Sequence, residues 1–409
     1  MAERRGDEPG VPAHGLALSL SGGGYRAMLF HAGTLIRLNE MGLLPKLSRI
    51  SSVSGGSTTA ALLGLKWGKL NFDAVTGIAD NFISQVIAPL RAFAAIDVDV
   101  KSVLTGVLIP GISTSDRVVA AYQRSLFGEA SLQNLPDDRV PDIGGRKPPR
   151  FVINATNVQT GTLMRFSRPY MADYSIGMVK NPEVPLAVAV AASSAFPPFL
   201  SPLVLACDRM KFDADVPPGR DFTDPKYRGS ITLTDGGVYD NLGIETVWKR
   251  YRHVLVSDAG QKMSGETEPS KNWLPHLKRI LDVVDNQVRS LRKRQILDAF
   301  VNPNDVHKGA YWSIKGNIAE YPVQRVGAGD KAIFEACDPV ATQRLAMIAT
   351  RLAQLQPEDQ DHLCNWGYAA CDAGIRAWCR NFLSSDYGVV VSPPVNFPFP
   401  LGLESRPVI

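Results

Sequence analysis

Between Gly15 and Ser57 the chain reads GLALSLSGGGYRAMLFHAGTLIRLNEMGLLPKLSRISSVSGGS, and few architectures accommodate that order of residues. The apolar run Gly15 to Leu20 predicts a strand, and Ser21 to Gly24 a turn whose bare backbone lets another group approach closely. Tyr25 to Glu40 follows with helical periodicity. A second strand, Arg49 to Val53, runs into Ser54-Gly55-Gly56, and a small-residue helix is expected from Thr58. Strand, tight turn and helix, repeated at once, predict a parallel sheet covered by helices.

Both turns carry chemistry. The N–H groups of Gly22, Gly23 and Gly24 fall near a helix N-terminus, where developing negative charge is favoured. That makes them candidate oxyanion donors. Ser54 sits on a tight strand-to-helix turn with small neighbours, the arrangement of a nucleophile elbow. The glycine spacing lacks the Gly-Lys-Ser/Thr of a phosphate-binding P-loop, and with Ala27 it fits only the relaxed form of the dinucleotide fingerprint. Arg26 is read either as a helix-surface residue or as one that holds the loop or meets a substrate phosphate.

A serine needs a base to take its proton. The six histidines are poorly placed for it: His14 closes the N-terminal arm, His253 starts a strand, His276 opens a helix and His362 lies in a late one. His31 is on the helix after the triple glycine, where packing is expected, and loop-borne His307 stays open as an alternative. Asp235 is better placed. It ends the β-branched run Ile231 to Thr234 and is followed by two glycines, and reactive groups collect at strand ends in open α/β sheets. Ser54 with Asp235 makes a workable dyad.

At 409 residues with a net charge of +4, the chain has ample length for a core and too mild a charge to imply nucleic acid. Residues 1–13 read as a loose arm without an apolar leader. Val184 to Ala206 is the longest apolar passage, but serines and prolines break it as a membrane span. Its first part predicts a helix to Ala195. Strands are expected at Phe151 to Thr156, Thr162 to Phe166, His253 to Ser257 and Ala310 to Lys315. Helices are expected at Leu274 to Phe300, Ala341 to Leu355 and Glu358 to Arg380. The domain reading is an arm (1–13), a catalytic unit (14–325) and a helical C-terminal extension on the same unit (326–409).

Five cysteines, an odd number, suit a reduced, cytoplasmic setting. Cys364, Cys371 and Cys379 are spaced for an apolar helix stripe, since zinc ligand pairs lie closer. The Leu274 to Phe300 helix joins Leu277, Leu281, Val284, Val288 and Leu291 to Arg289, Arg292, Lys293 and Arg294, which suits either packing on the sheet or contact with anionic lipid. Leu90 to Pro110 is a candidate lid or acyl-chain wall.

SGGGYRA, SVSGG and TDGGVYDN, in this order, resemble the oxyanion loop, nucleophile elbow and Asp-Gly block of patatin-like phospholipases. AVAVAASSAFPPFLSPL and FVINATNVQTGTLMRFS resemble that family's Ala/Ser–Pro segment and central hairpin. The similarity spans roughly Gly15 to Tyr251, with WGYAACDAGIR a weaker echo. Three positions depart from the pattern: Ser21, Ala27 and Ser52 replace its usual Asp, Gly and Gly. The resemblance implies a three-layer α/β/α fold with a mostly parallel central sheet and a helical C-terminal addition. It also implies a Ser–Asp dyad without histidine, no metal or cofactor, and hydrolysis of phospholipid or lysophospholipid acyl esters by a protein peripheral to the membrane. The other reading is a non-catalytic or ligand-gated lipid-binding effector of the same fold.

Overall fold

The computed structural model describes residues 11–98, 114–142, 145–197, 200–213, 222–321 and 337–403. Strand β1 (Ala13–Leu20) leads through the triple-glycine turn into helix α1 (Gly24–Glu40), and β2 (Leu47–Val53) leads through Ser54 into α2 (Gly55–Lys66). Then follow β3 (Arg150–Asn157), β4 (Thr162–Phe166), β5 (Tyr170–Asp173), β6 (Gly177–Lys180), β7 (Leu203–Ala206), β8 (Ser230–Asp235), β9 (Tyr251–Asp258) and β10 (Lys308–Ser313). The central strands run parallel in the order β10-β9-β1-β2-β3, and β4, β5 and β6 extend the sheet antiparallel. Helices flank the sheet, as the alternating signals predict.

One departure from regular order sets up the site. β3 pairs in parallel with β2 as far as Val53 opposite Asn154, and then antiparallel with β8, Ala155 opposite Asp235. β2 and β8 therefore meet end to end along one edge of β3. The residue after β2 and the last residue of β8 are held beside adjacent positions of a single strand.

α1 is buried along nearly its whole length, because a second layer covers the face it turns from the sheet. That layer is the Pro357–Trp378 helix. The two backbones touch: a Cβ at Gly33 would fall on the Cys364 carbonyl, and one at Gly367 on the Phe30 carbonyl. Arg37 of α1 donates to Asp372 at 2.9 Å, and the Tyr368 hydroxyl donates to Glu40 at 2.6 Å. The helix ends at Trp378, and a separate one spans Arg380–Tyr387. All five cysteines are buried and free, with Cys364, Cys371 and Cys379 in this apolar layer.

The helix expected to reach Leu355 spans only Pro339–Met347. The following stretch is a strap across the start of α1. The Arg351 carbonyl accepts the Tyr25 N–H at 3.0 Å, and Leu352 and Ala94 carbonyls accept Val98 and Leu355 N–H groups, each at 2.9 Å. The first N–H groups of a helix lack partners within it, and an extended strap supplies an acceptor that a continued helix would not. No described helix is long and apolar enough to cross a membrane.

Candidate active site

Ser54 stands between β2 and α2 with φ 52° and ψ −122°, a conformation that costs a non-glycine residue energy and recurs at functional turns. It persists because the surroundings fix it. The Ser54 N–H donates to the Ser193 hydroxyl at 2.9 Å, and that hydroxyl donates to the Asn154 carbonyl at 2.6 Å. Ser52, the larger residue in the elbow motif, is accommodated by hydrogen bonding: its hydroxyl donates to the Val152 carbonyl at 3.2 Å and accepts from Ser57 at 3.1 Å. Glycine is required beyond it, since a Cβ at Gly55 would fall on the Gly24 carbonyl. Helix α2 thus starts at Gly55, earlier than expected.

The junction on β3 brings Asp235 to this serine. The Ser54 side chain stands close enough to the Asp235 carboxylate to favour its ionised form. Asp235 Oδ1 accepts the Gly237 N–H at 2.7 Å, and the Asp235 carbonyl accepts from Thr156 at 2.8 Å. Burial pushes the carboxyl up to about 7, against the opposing pull of the Gly237 hydrogen bond and of Ser54. Desolvation penalises the charged form, so this Asp is held near neutrality where a carboxylate ordinarily is not.

The glycine turn differs from expectation in one donor. The Gly22 N–H already donates to the Asn241 carbonyl at 3.0 Å, so Gly22 shapes the turn and is not a free donor. Among the described residues, no hydrogen bond engages the N–H of Gly23 or Gly24. Gly23 has φ +145° and Gly24 φ +60°, and the Arg351 backbone leaves no room for a Cβ on Gly24. The Gly55 N–H, first in α2, is likewise without a described partner. The residue after the nucleophile is a recurrent oxyanion donor, a signal legible in SVSGG that the sequence reading did not use.

Two further residues complete the setting. Asn241 packs its amide oxygen against the Gly22 and Gly237 backbones, joining the glycine turn to the turn of Asp235. It lies within the TDGGVYDN block. Ser193, from the Ala/Ser-rich helix Leu186–Ser193, anchors the elbow.

Arg26 needs correction as a substrate contact. It is 1% exposed; its Nε donates to the Ala259 carbonyl at 3.0 Å and its Nη1 to the Ile348 carbonyl. A residue so enclosed ties α1 to the end of β9 and to the strap, the loop-holding half of the expectation. Burial and neighbouring Arg289 lower its pKa to about 9.

No histidine has a described contact with Ser54. His31 is buried with its Nε2 donating to the Ser21 carbonyl and its Nδ1 accepting from Ser257, both at 2.9 Å, and burial lowers its pKa to about 4. His307 bonds Asp305 at 2.8 Å and the Trp248 carbonyl at 3.0 Å while stacked on the Trp248 ring.

An apolar wall adjoins the elbow. Phe93 meets Tyr25 and Tyr122, and the Tyr122 hydroxyl contacts Thr58 at 3.1 Å. Leu90, Phe93 and Ala94 belong to this core; the remainder of the candidate lid, residues 99–110, lies outside the described residues. The Trp273–Val301 helix also departs from expectation. Its basic residues are partly engaged: Arg289 donates to the Gln261 carbonyl at 3.1 Å, Arg292 pairs with Glu245 at 3.2 Å, and Lys293 lies over the Tyr311 ring. Several of its apolar residues are exposed, including Trp273 (74%), Leu281 (51%) and Leu291 (58%), beside exposed Lys293 and Arg294.

No curated protein matches the sequence. Among solved structures, human GIVD cytosolic phospholipase A2 is similar at 12% identity and TM-score 0.46, with 89% of this chain and 61% of that chain covered. VipD from Legionella pneumophila is similar at 15% identity and TM-score 0.36, with 89% and 66% covered. This chain thus spans about three fifths of the length of the human structure. The family model described as Patatin-like phospholipase matches residues 18–248, more than half the chain, from the last residues of β1 through the elbow to beyond the Asp-Gly turn. With the elbow, glycine turn and buried aspartate joined on one strand edge, the chain belongs to the patatin-like phospholipase family.

Proposed function

We propose that this protein hydrolyses the carboxylic esters of glycerophospholipids or lysophospholipids through an acyl-enzyme on Ser54, with Asp235 as the base. The observation that carries the reading is the meeting of β2 and β8 on β3, which sets Ser54 beside the buried Asp235, a carboxyl that burial pushes up to about 7. A base of that pKa takes and returns a proton readily near neutral pH. Ser54 Oγ attacks the ester carbonyl carbon as its proton passes to Asp235. The N–H groups of Gly23, Gly24 and Gly55 receive the oxyanion, each such donor being worth roughly 3 kcal/mol in a preorganised site. Collapse breaks the ester bond, and Asp235 protonates the departing alcohol oxygen. Water then attacks the acyl-enzyme, giving its proton to Asp235; the fatty acid leaves and Ser54 regains its proton.

The lipid is met at a membrane surface. The exposed face of the Trp273–Val301 helix, with Trp273, Leu277, Leu281, Val284 and Leu291 on one side, suits insertion at the headgroup boundary. This replaces the cluster Arg289 to Arg294 as the main contact. Free, buried cysteines suit the reducing cytoplasm.

Labelling with a serine-reactive fluorophosphonate, with mass-spectrometric product analysis on a lipid-ester panel, tests the reading. The parent is expected to label at Ser54 and release fatty acid. Ser54→Ala and Asp235→Asn should each abolish turnover, and their effects should not add. Full activity in either variant would remove the dyad. Lipid binding without labelling or turnover would favour an effector.

A further inference from the structure

The opposite end of the sheet holds an arrangement that catalysis does not use. His14 lies near the start of β1, His253 near the start of β9, and Asp386 near the end of the Arg380–Tyr387 helix. One ligand atom from each lies within 4.8 Å of the others. The Nε2 atoms of His14 and His253 stand 3.5 Å and 3.6 Å from Oδ2 of Asp386. These separations are long for hydrogen bonds, which fall at 2.7–3.2 Å. They are close to the edge of a tetrahedron around zinc, about 3.3–3.4 Å for metal–ligand bonds of roughly 2.0–2.1 Å.

The surroundings aim each ligand. The His253 ring stacks on Phe382 with centroids 4.4 Å apart, and its Nδ1 is 2.8 Å from the Tyr387 hydroxyl, leaving Nε2 toward Asp386. The His14 ring stacks on Tyr387 at 5.5 Å. The other Asp386 oxygen, Oδ1, accepts from Ser385 at 2.6 Å, so Oδ2 is the one presented. Partners of this kind fix the orientation of metal-bound imidazoles and carboxylates. His253 is buried, whereas His14 and Asp386 reach the surface, which gives an ion an entry path and leaves a coordination position for water.

We propose that His14, His253 and Asp386 bind a divalent transition metal of the zinc class. The ion ties the starts of β1 and β9 to the last described helix. Two imidazoles and one carboxylate suit borderline cations and disfavour calcium and magnesium, which take all-oxygen shells. His14 to Leu20 is six residue steps along β1, about 20 Å, so the site is separate from the dyad and its role is structural.

Untagged full-length protein, stripped with chelator and dialysed, would be titrated with Zn²⁺ by calorimetry and with Co²⁺ by absorption. The expected result is one ion per chain, the visible band of low-symmetry Co²⁺ with nitrogen and oxygen ligands, and a Tm raised by Zn²⁺ but not Mg²⁺. Asp386→Asn and His14→Ala should each weaken Zn²⁺ binding by at least about ten-fold, the loss typical of a disturbed ligand shell. Hydrolysis of a short soluble ester at low temperature should be unchanged in both variants, which separates this proposal from the dyad. Parent protein that binds no Zn²⁺ would overturn it. Zn²⁺ bound equally by the parent and both folded variants would overturn it too, leaving His14, His253 and Asp386 an ordinary ion-pair cluster.

Discussion

Asp235 combines two demands that oppose each other, burial and ionisation, and the balance can be measured. Burial is the larger influence, lifting the carboxyl from 3.8 to about 7. In the base role proposed for it, Asp235 must be ionised, so kcat/KM on a soluble ester should rise with pH along a limb near 7 and level off above it. A limb near 4 would mean a solvated carboxylate. Linkage gives stability the opposite trend. A pKa raised on folding contributes stability below the unfolded value near 4, and that contribution is lost as pH rises through the folded value near 7. Asp235→Asn should therefore match the parent near pH 4 and exceed it at pH 8, by on the order of a few kcal/mol, in chemical denaturation. An inactive variant that is more stable only at alkaline pH is the signature of a carboxylate held charged at a cost.

Among the elements, the Trp273–Val301 helix is divided along its length. Near its end Ile296 and Ala299 are buried, while Leu277, Leu281 and Val284 are 42%, 51% and 54% exposed. Replacing those three by Ser should reduce binding and hydrolysis of phospholipid vesicles while sparing a short soluble ester. Vesicle binding equal to the parent in a flotation assay would assign the membrane contact elsewhere. The helix itself was legible in the sequence, because its apolar spacing is regular. Which face would be covered was not, since a stripe has the same period whether it meets a sheet, a bilayer or water. The strap after Met347 was illegible for a related reason: local periodicity continues there, but the unpaired N–H groups of α1 claim that backbone. Strand ends carrying Ser54 and Asp235 were readable from glycine neighbours, whereas the engagement of the Gly22 N–H depends on Asn241, brought close only by the fold.

At the scale of the whole molecule, the C-terminal helices form one side of the catalytic body. The reciprocal contact of Gly33 with Cys364 and of Gly367 with Phe30 admits no side chain. Gly367→Ala must force α1 and the Pro357–Trp378 helix apart, at a cost of about 1–3 kcal/mol or more. Thermal unfolding should show a clearly lowered Tm; an unchanged one would mean the helices are not in contact. Such long-range meetings, like that of His14, His253 and Asp386, leave little trace in sequence, because each partner alone looks like an ordinary arm, strand or helix residue. The end-to-end meeting of β2 and β8 on β3 reaches further. Asn154 and Ala155 set the spacing of Ser54 and Asp235, and Ser193 and Ala195 pin the same two residues from a second segment, so only chain outside these contacts can change without moving the two side chains. The junction and the loops around it are thereby separable: an engineer can rebuild segments that touch neither and keep Ser54 beside Asp235.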